Sequence, residues 1–292
     1  MCRLFGLTAG QARVKATFWL LDAPDSLRAQ SHRNVDGAGI GFFGPGGEPV
    51  VDKRPEPAFR DQEFTREARQ AESSAFVAHV RWATAGGRTA RNTHPFVMDG
   101  RVMAHNGGLG ELSQLEAELG SYARLVLGDT DSERYFALIT KETDAHDGDV
   151  GAGITAAASW IAAHLPVSSL NAIVAAPGEL WALRYPSQHA LHILERPAGP
   201  GPGTPGPAGP GPGTPGLHVR SATSSVHVST LDAAASVVIA SEQLDGESGW
   251  RMLAPGELVH VRPDLSVHTQ IAIPQSPAHL VPLPAGSPNI DT

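Results

Sequence analysis

The 292-residue sequence contains a single cysteine, at position 2. One thiol cannot form an internal disulfide or a cysteine-rich zinc cage, and this scarcity makes a reducing cytoplasm the expected compartment. Long apolar runs are missing too: none approaches the roughly 18 residues that a membrane span requires. The segment most like one, GAGITAAASWIAAHL (151–165), is short and rich in alanine, the pattern of a core helix. The N-terminus lacks the basic and apolar regions of a signal peptide. Cationic residues are outnumbered, 22 against 30 acidic ones, and the formal charge of −8 argues against a polyanionic partner, whose phosphates need lysine and arginine to neutralise them. The expectation is a soluble globular protein without nucleic-acid or membrane partners, long enough to bury a sizeable core.

What is present is an alternation of short apolar runs with helical patterns. RLFGLT (3–8), AGIGFF (38–43), SAFVAHVRW (74–82) and RVMAH (101–105) read as strands, and helices are expected near 60–72, 111–119, 131–142 and 153–165. NAIVAA (171–176), ELWALRY (179–185) and ALHILER (190–196) follow as three strands whose joints are too short for crossover helices, which implies antiparallel pairing. Together these elements indicate an α+β layered domain. Residues 198–216 carry AGPGPGTPG twice, a composition that cannot pack a core and reads as a disordered loop. Strands resume beyond it at LHVRS, SVVIAS, GELVHV and VHTQIAI. The loop therefore interrupts one domain over 2–273 and does not divide two, and 274–292 reads as a flexible tail.

Four segments could carry chemistry. Removal of Met1 would leave Cys2 with a thiol and a free α-amine, a nucleophile beside a base whose pKa lies near about 7.7 to 8.0; the alternative is a small buried hydrophobe in a first strand. In HVRWATAGGRTARNTHPF (79–96), strand alternation puts His79 and Arg81 on one face with Val77, so that a half-buried guanidinium requires an anion, either a bidentate carboxylate ligand or an acidic side chain. In AHNGG (104–108), Asn106 and Gly107 could form an oxyanion hole from a side-chain amide and a backbone N–H, or simply a hairpin turn. In GDTDSERYFALIT (128–140), Thr130 and Glu133 fit a capping box, which leaves Asp131 in the first turn of a helix, facing either the helix dipole or a substrate ammonium.

The order Cys2, HVRWAT, NTHPF, HNG, DTDSE resembles that of the class II glutamine amidotransferases, which are N-terminal-nucleophile (Ntn) hydrolases. The resemblance covers roughly residues 2–185, with RNVDGAGIGFF (33–43) similar to the family's Asp-and-glycine segment. VVIASEQLDGESGWRMLAPGELVHV (237–261) is similar to the closing segment of the small, stand-alone branch. The resemblance implies a four-layer αββα sandwich of two antiparallel sheets, with no cofactor and no metal. It implies that Cys2 is the nucleophile, its α-amine the base, and Asn106 with Gly107 the oxyanion hole. Arg81 would grip the α-carboxylate of a glutamine or γ-glutamyl group, Asp131 its α-ammonium, and Trp82 and Thr84 would line the pocket. Two positions depart from the pattern: Ala85 and Gly86 stand where many amidotransferases read His-Gly, and Ala38 stands where many stand-alone relatives have tryptophan.

The implied activity is hydrolysis of the glutamine γ-carboxamide through a Cys2 thioester. Because about a hundred residues follow the recognisable part and read as more strands, no acceptor domain is expected within them. Ammonia would then pass to a separate synthase subunit, or the substrate would be a γ-glutamyl conjugate of thiol metabolism, of the ergothioneine or glutathione type. Other classes remain as alternatives: a metallohydrolase using His79, His94 and His105, or a binding protein without catalysis.

Overall fold

A computed structural model describes residues 2–83, 86–199 and 234–283. Thr84, the Pro/Gly insert from 200 onward, the strand expected at LHVRS and the last nine residues lie outside the described residues.

Two seven-stranded sheets lie face to face. The first runs in the order β11 (Arg251–Met252), β9 (His192–Arg196), β10 (Ser236–Ala240), β1 (Arg3–Thr8), β4 (Ala75–Arg81), β2 (Gly37–Phe43), β3 (Pro49–Arg54). The second runs β13 (Val267–Ile271), β12 (Glu257–Val261), β8 (Glu179–Leu183), β7 (Pro166–Ala176), β6 (Arg101–Leu109), β5 (Phe96–Met98). Every pairing along these two paths is antiparallel. A short β14 (His279–Leu280) pairs in parallel with the start of β7, so the segment expected as a tail contains a short strand.

Strand alternation builds the layers. In β1, Phe5 and Leu7 pack outward with Trp19, Leu20, Leu27 and Phe64, from a π-helical turn at Phe18–Asp22, α1 (Leu27–Gln30) and α2 (Gln62–Gln70). Leu4 turns the other way, into an inter-sheet core with Val77, Val102, Ile173, Leu180 and Val259. Gly6 shares that inner face, where a Cβ would stand 2.8 Å from Ile173, so the close approach of the sheets requires a glycine. On the outer face of the second sheet lie α3 (Leu112–Leu119), α4 (Asp131–Ala145) and α5 (Val150–His164), joined to it through Leu115, Tyr135, Phe136, Ile154 and Ile161. The result is the expected four-layer αββα sandwich.

One pairing differs from the sequence expectation. β7 and β8 form the anticipated antiparallel pair, with Ala172 opposite Leu183, but β9 leaves for the other sheet. The free edge of β8 is taken by β12, with Leu258 opposite Leu183. The connection between β8 and β9 is held across the gap by buried polar side chains: Arg184 donates to the carbonyls of His189 and Leu253, at 2.9 and 2.7 Å, and Asn171 donates to those of His189 and Ala190. These bonds stand in for a hairpin ladder.

Candidate active site

Cys2 directly precedes β1, whose neighbours are β4 and β10, and by strand alternation it shares the inner face with Leu4 and Gly6. Its thiol meets the main chain just past the end of β4: Trp82 N donates to Cys2 Sγ at 3.2 Å, and Sγ lies 3.3 Å from Trp82 O. Burial raises the thiol pKa above its ordinary value, against the lowering effect of the Trp82 N–H and the Arg81 charge. The thiol is therefore protonated near neutrality and needs a base to become a nucleophile.

His79 and Arg81 occupy the inner face of β4 with Val77, as their spacing predicts, and both are buried. The Arg81 guanidinium is held by the carbonyls of Gly87 and Gly86 at 3.1 and 3.4 Å. Asp36, 4% exposed, organises the same corner: its N–H donates to Arg81 O, and its carboxylate accepts from Ala83 N at 2.8 Å and pairs with Arg88. Trp82, whose main chain makes both contacts to the thiol, is 47% exposed.

Asn106 and Gly107 make no hairpin; both lie inside β6, opposite Asn171 and Leu170 of β7. The Asn106 side chain donates from Nδ2 to Cys2 O at 3.1 Å. β5 covers only Arg101–Met103 of β6, so beyond Met103 the strand edge away from β7 has no strand partner among the described residues. Leu170, opposite Gly107, turns its N–H to Tyr185 O. Gly107 therefore occupies a non-hydrogen-bonded position of the ladder, and its own N–H points to the open edge. A Cβ at Gly107 would come within 1.8 Å of Ser169 O, which explains why the position is glycine.

Asp131 is the first residue of α4. Thr130 caps the helix, its hydroxyl accepting from Glu133 N at 3.2 Å, but the capping box closes differently from expectation: the Glu133 carboxylate reaches Gly128 N at 2.6 Å, not the Thr130 N–H. Asp131 Oδ2 accepts from Leu109 N and Oδ1 from Ser132 N, at 2.9 and 2.8 Å. These bonds fasten the carboxylate to the end of β6, beside Asn106 and Gly107.

Residues adjacent to these positions do the bracing, and sequence reasoning missed most of them. His105 bonds Ser132 Oγ through Nδ1 at 2.9 Å and Ser169 O through Nε2 at 3.1 Å. A carbonyl only accepts, so the ring proton sits on Nε2 and the Ser132 hydroxyl donates to Nδ1. Asn92, 1% exposed, accepts from Asp129 N and donates to Asp129 Oδ2 and Gly87 O, tying the loop that cradles Arg81 to the start of α4. His79 and His94 pack against each other, with ring centroids 4.2 Å apart and planes tilted by 35°, and burial lowers the pKa of both, that of His79 to about 3. No group of three or more His, Cys, Asp or Glu among the described residues is arranged to hold a metal ion. No helix among them is long and apolar enough to cross a membrane.

A thiol, a guanidinium, an amide and a carboxylate thus converge where β1, β4 and β6 meet the start of α4. Comparison with known proteins identifies the family. The family model for "Glutamine amidotransferases class-II" matches residues 1–199. Among curated relatives, a glutamine–fructose-6-phosphate aminotransferase from Corynebacterium efficiens is 33% identical over 155 residues, which cover 51% of this chain and 24% of that protein. The probable glutamine amidotransferase DUG3 of Saccharomyces cerevisiae is 30% identical over 135 residues, covering 40% of this chain and 38% of the yeast protein. The chain thus spans well under half the length of either relative. The fold is shared with a glutamine phosphoribosylpyrophosphate amidotransferase from B. subtilis, with a TM-score of 0.63 at 18% identity over 94% of this chain and 50% of that one. It is shared also with a glutamine aminotransferase class-II domain protein from Silicibacter pomeroyi, with a TM-score of 0.55 at 18% identity over 94% of this chain and 100% of that one. With the family model matched over more than half its residues, the chain belongs to the class II glutamine amidotransferases.

Proposed function

We propose that this protein hydrolyses the γ-carboxamide of glutamine through a Cys2 thioester and delivers the ammonia to a separate partner. The observation that carries the reading is the convergence of Cys2, Arg81, Asn106 and Asp131 around one corner of the sandwich. An amino-acid head group needs a cation for its carboxylate and an anion for its ammonium. Arg81 and Asp131 supply the two, leaving the γ-carbonyl for the thiol.

In this mechanism Met1 is removed, and the Cys2 α-amine takes the proton from a thiol that burial keeps protonated. The thiolate adds to the carbonyl carbon of the γ-carboxamide, and the oxyanion is met by the second N–H of the Asn106 amide and by the Gly107 N–H at the open edge of β6. The tetrahedral adduct collapses with cleavage of the C–N bond, and the α-ammonium returns its proton to the departing ammonia. Water, deprotonated by the same amine, then attacks the thioester to release glutamate and restore the thiol.

A second reading, cleavage of a γ-glutamyl conjugate, is favoured by Trp82, a half-exposed aromatic residue whose main chain touches the thiol and which would offer an apolar surface to a leaving group larger than ammonia. The deciding experiment is a panel that compares kcat/KM for glutamine with that for γ-glutamyl thiol conjugates. A preference for glutamine supports the first reading; a large preference for a conjugate replaces it with the second. Retention of Met1 in fully active enzyme, seen by intact-mass spectrometry, would sink both.

A further inference from the structure

The carbonyl oxygen of Cys2 is met by two donors. Asn106 Nδ2 is one, at 3.1 Å; the other is Arg3 Nη1, at 3.2 Å. Arg3 is 7% exposed, and its Nη2 forms an ion pair with Glu242, whose other carboxylate oxygen lies 3.6 Å from Arg33. Glu242 stands two residues past β10, and Ser241 before it clasps the residue that follows Arg3 from both directions. Leu4 N donates to Ser241 Oγ at 2.9 Å, and Ser241 N donates to Leu4 O at 3.1 Å. The backbone of residues 2–4 is therefore held by a segment from the far end of the chain, while Trp82 holds the thiol.

We propose that the Arg3–Glu242 ion pair is a positioning pair for the nucleophile. The inference rests on the reading of Cys2 as nucleophile with its α-amine as base. Two of the substituents on the Cys2 Cα are tethered, the carbonyl by Arg3 and Asn106, and the Cβ through Sγ by the Trp82 N–H. Tetrahedral geometry then fixes the direction of the third, the α-nitrogen, relative to the sulfur. A planar guanidinium suits the task because it can donate to a carbonyl from one nitrogen and to a carboxylate from another, which a single ammonium does less well. Glu242 keeps the fork from turning toward solvent. The pair also frees Asn106 from being the sole holder of Cys2 O.

The test is inactivation by a diazoketone analogue of glutamine, with kinact and KI measured separately and the labelled residue identified by mass spectrometry. Labelling of the wild-type protein at Cys2 is the control for the underlying reading; wild-type protein that is not labelled there refutes that reading rather than the pair. Glu242→Gln and Arg3→Lys are each expected to lower kinact about tenfold, the scale of a modest misplacement at a reacting centre, with KI within about twofold. Because the two side chains act as a unit, the double variant Arg3→Lys/Glu242→Gln should lose no more than either single one. Glu242→Asp keeps the charge and should retain at least about a third of kinact; it also serves if Glu242→Gln does not fold. The proposal fails if Glu242→Gln keeps kinact within about twofold, if the losses multiply to about a hundredfold in the double variant, if the effect is confined to KI, or if Glu242→Asp is as slow as Glu242→Gln.

Discussion

Asn106 donates its side-chain amide to the carbonyl oxygen of Cys2 at 3.1 Å, so the group proposed to stabilise an oxyanion also touches the main chain of the proposed nucleophile. One N–H of the amide is committed to Cys2 and the other is free to point at substrate. Asn106→Ala removes both. The expected outcome is a fall in kcat of about 10²- to 10³-fold. Steady-state kinetics checks it, and a variant that loses less than about tenfold would remove Asn106 from the oxyanion hole.

Gly107→Ala tests the other donor without deleting it. The added Cβ would collide with Ser169 O, 1.8 Å away, and with His105 Nε2 at 2.6 Å. β6 must then shift at this point, so both stability and activity should suffer. A loss of about 1 to 3 kcal/mol in urea unfolding is expected from overpacking of this kind, together with a kcat at least about tenfold lower. Unchanged kcat would mean that the Gly107 N–H is not aimed at the reacting oxygen.

Asp131→Asn probes recognition of the substrate ammonium. The wild-type protein should discriminate strongly between glutamine and its analogue lacking the α-amino group, and the variant should lose most of that discrimination. Competition kinetics with the two amides measures it. An undiminished preference for glutamine would show that Asp131 serves only to anchor Leu109 and Ser132.

Stability should fall on acidification because of His79. Burial lowers its pKa from 6.5 to about 3 in the folded protein. Between those values the unfolded chain takes up a proton that the folded protein does not. The stability is therefore fully present above about pH 6.5 and is lost as pH falls from there toward about 3, at about 1.4 kcal/mol per pH unit for this one group. Urea unfolding at pH 7 and pH 5 should show the decline, and His79→Gln should remove about one proton's worth of the slope. An equal slope in the variant would assign the dependence to other groups.

The strands were legible because period-two alternation survives in RLFGLT, AFVAHVR and ELWAL, and the faces it assigned to Val77, His79 and Arg81 are the observed ones. β9 was not placed correctly, because joint length says nothing about which strand already occupies the edge of β8. β3 and β5 escaped as well; β5 is three residues long, and β3 carries Asp52 and Lys53 within it. Of the site, the residues adjacent to motifs were harder to read than the motifs themselves. His105 drew attention as a metal ligand, yet it braces Ser132 and Ser169. Asp36, Asn92 and Glu242 act through partners distant in sequence, and no local pattern names such partners.

The place of β1 in its sheet has a consequence for synthesis. Its neighbours are β4 and β10, so the strand that follows Cys2 cannot complete its ladder until Ser236–Ala240 has left the ribosome. At the usual elongation rate of about 5 to 20 residues per second, that wait lasts roughly 10 to 50 s. Throughout it, the extreme N-terminus is still outside any finished sheet and open to an aminopeptidase. The proposed mechanism needs Met1 gone before the corner closes around Cys2, and the strand order provides the interval in which it can be taken.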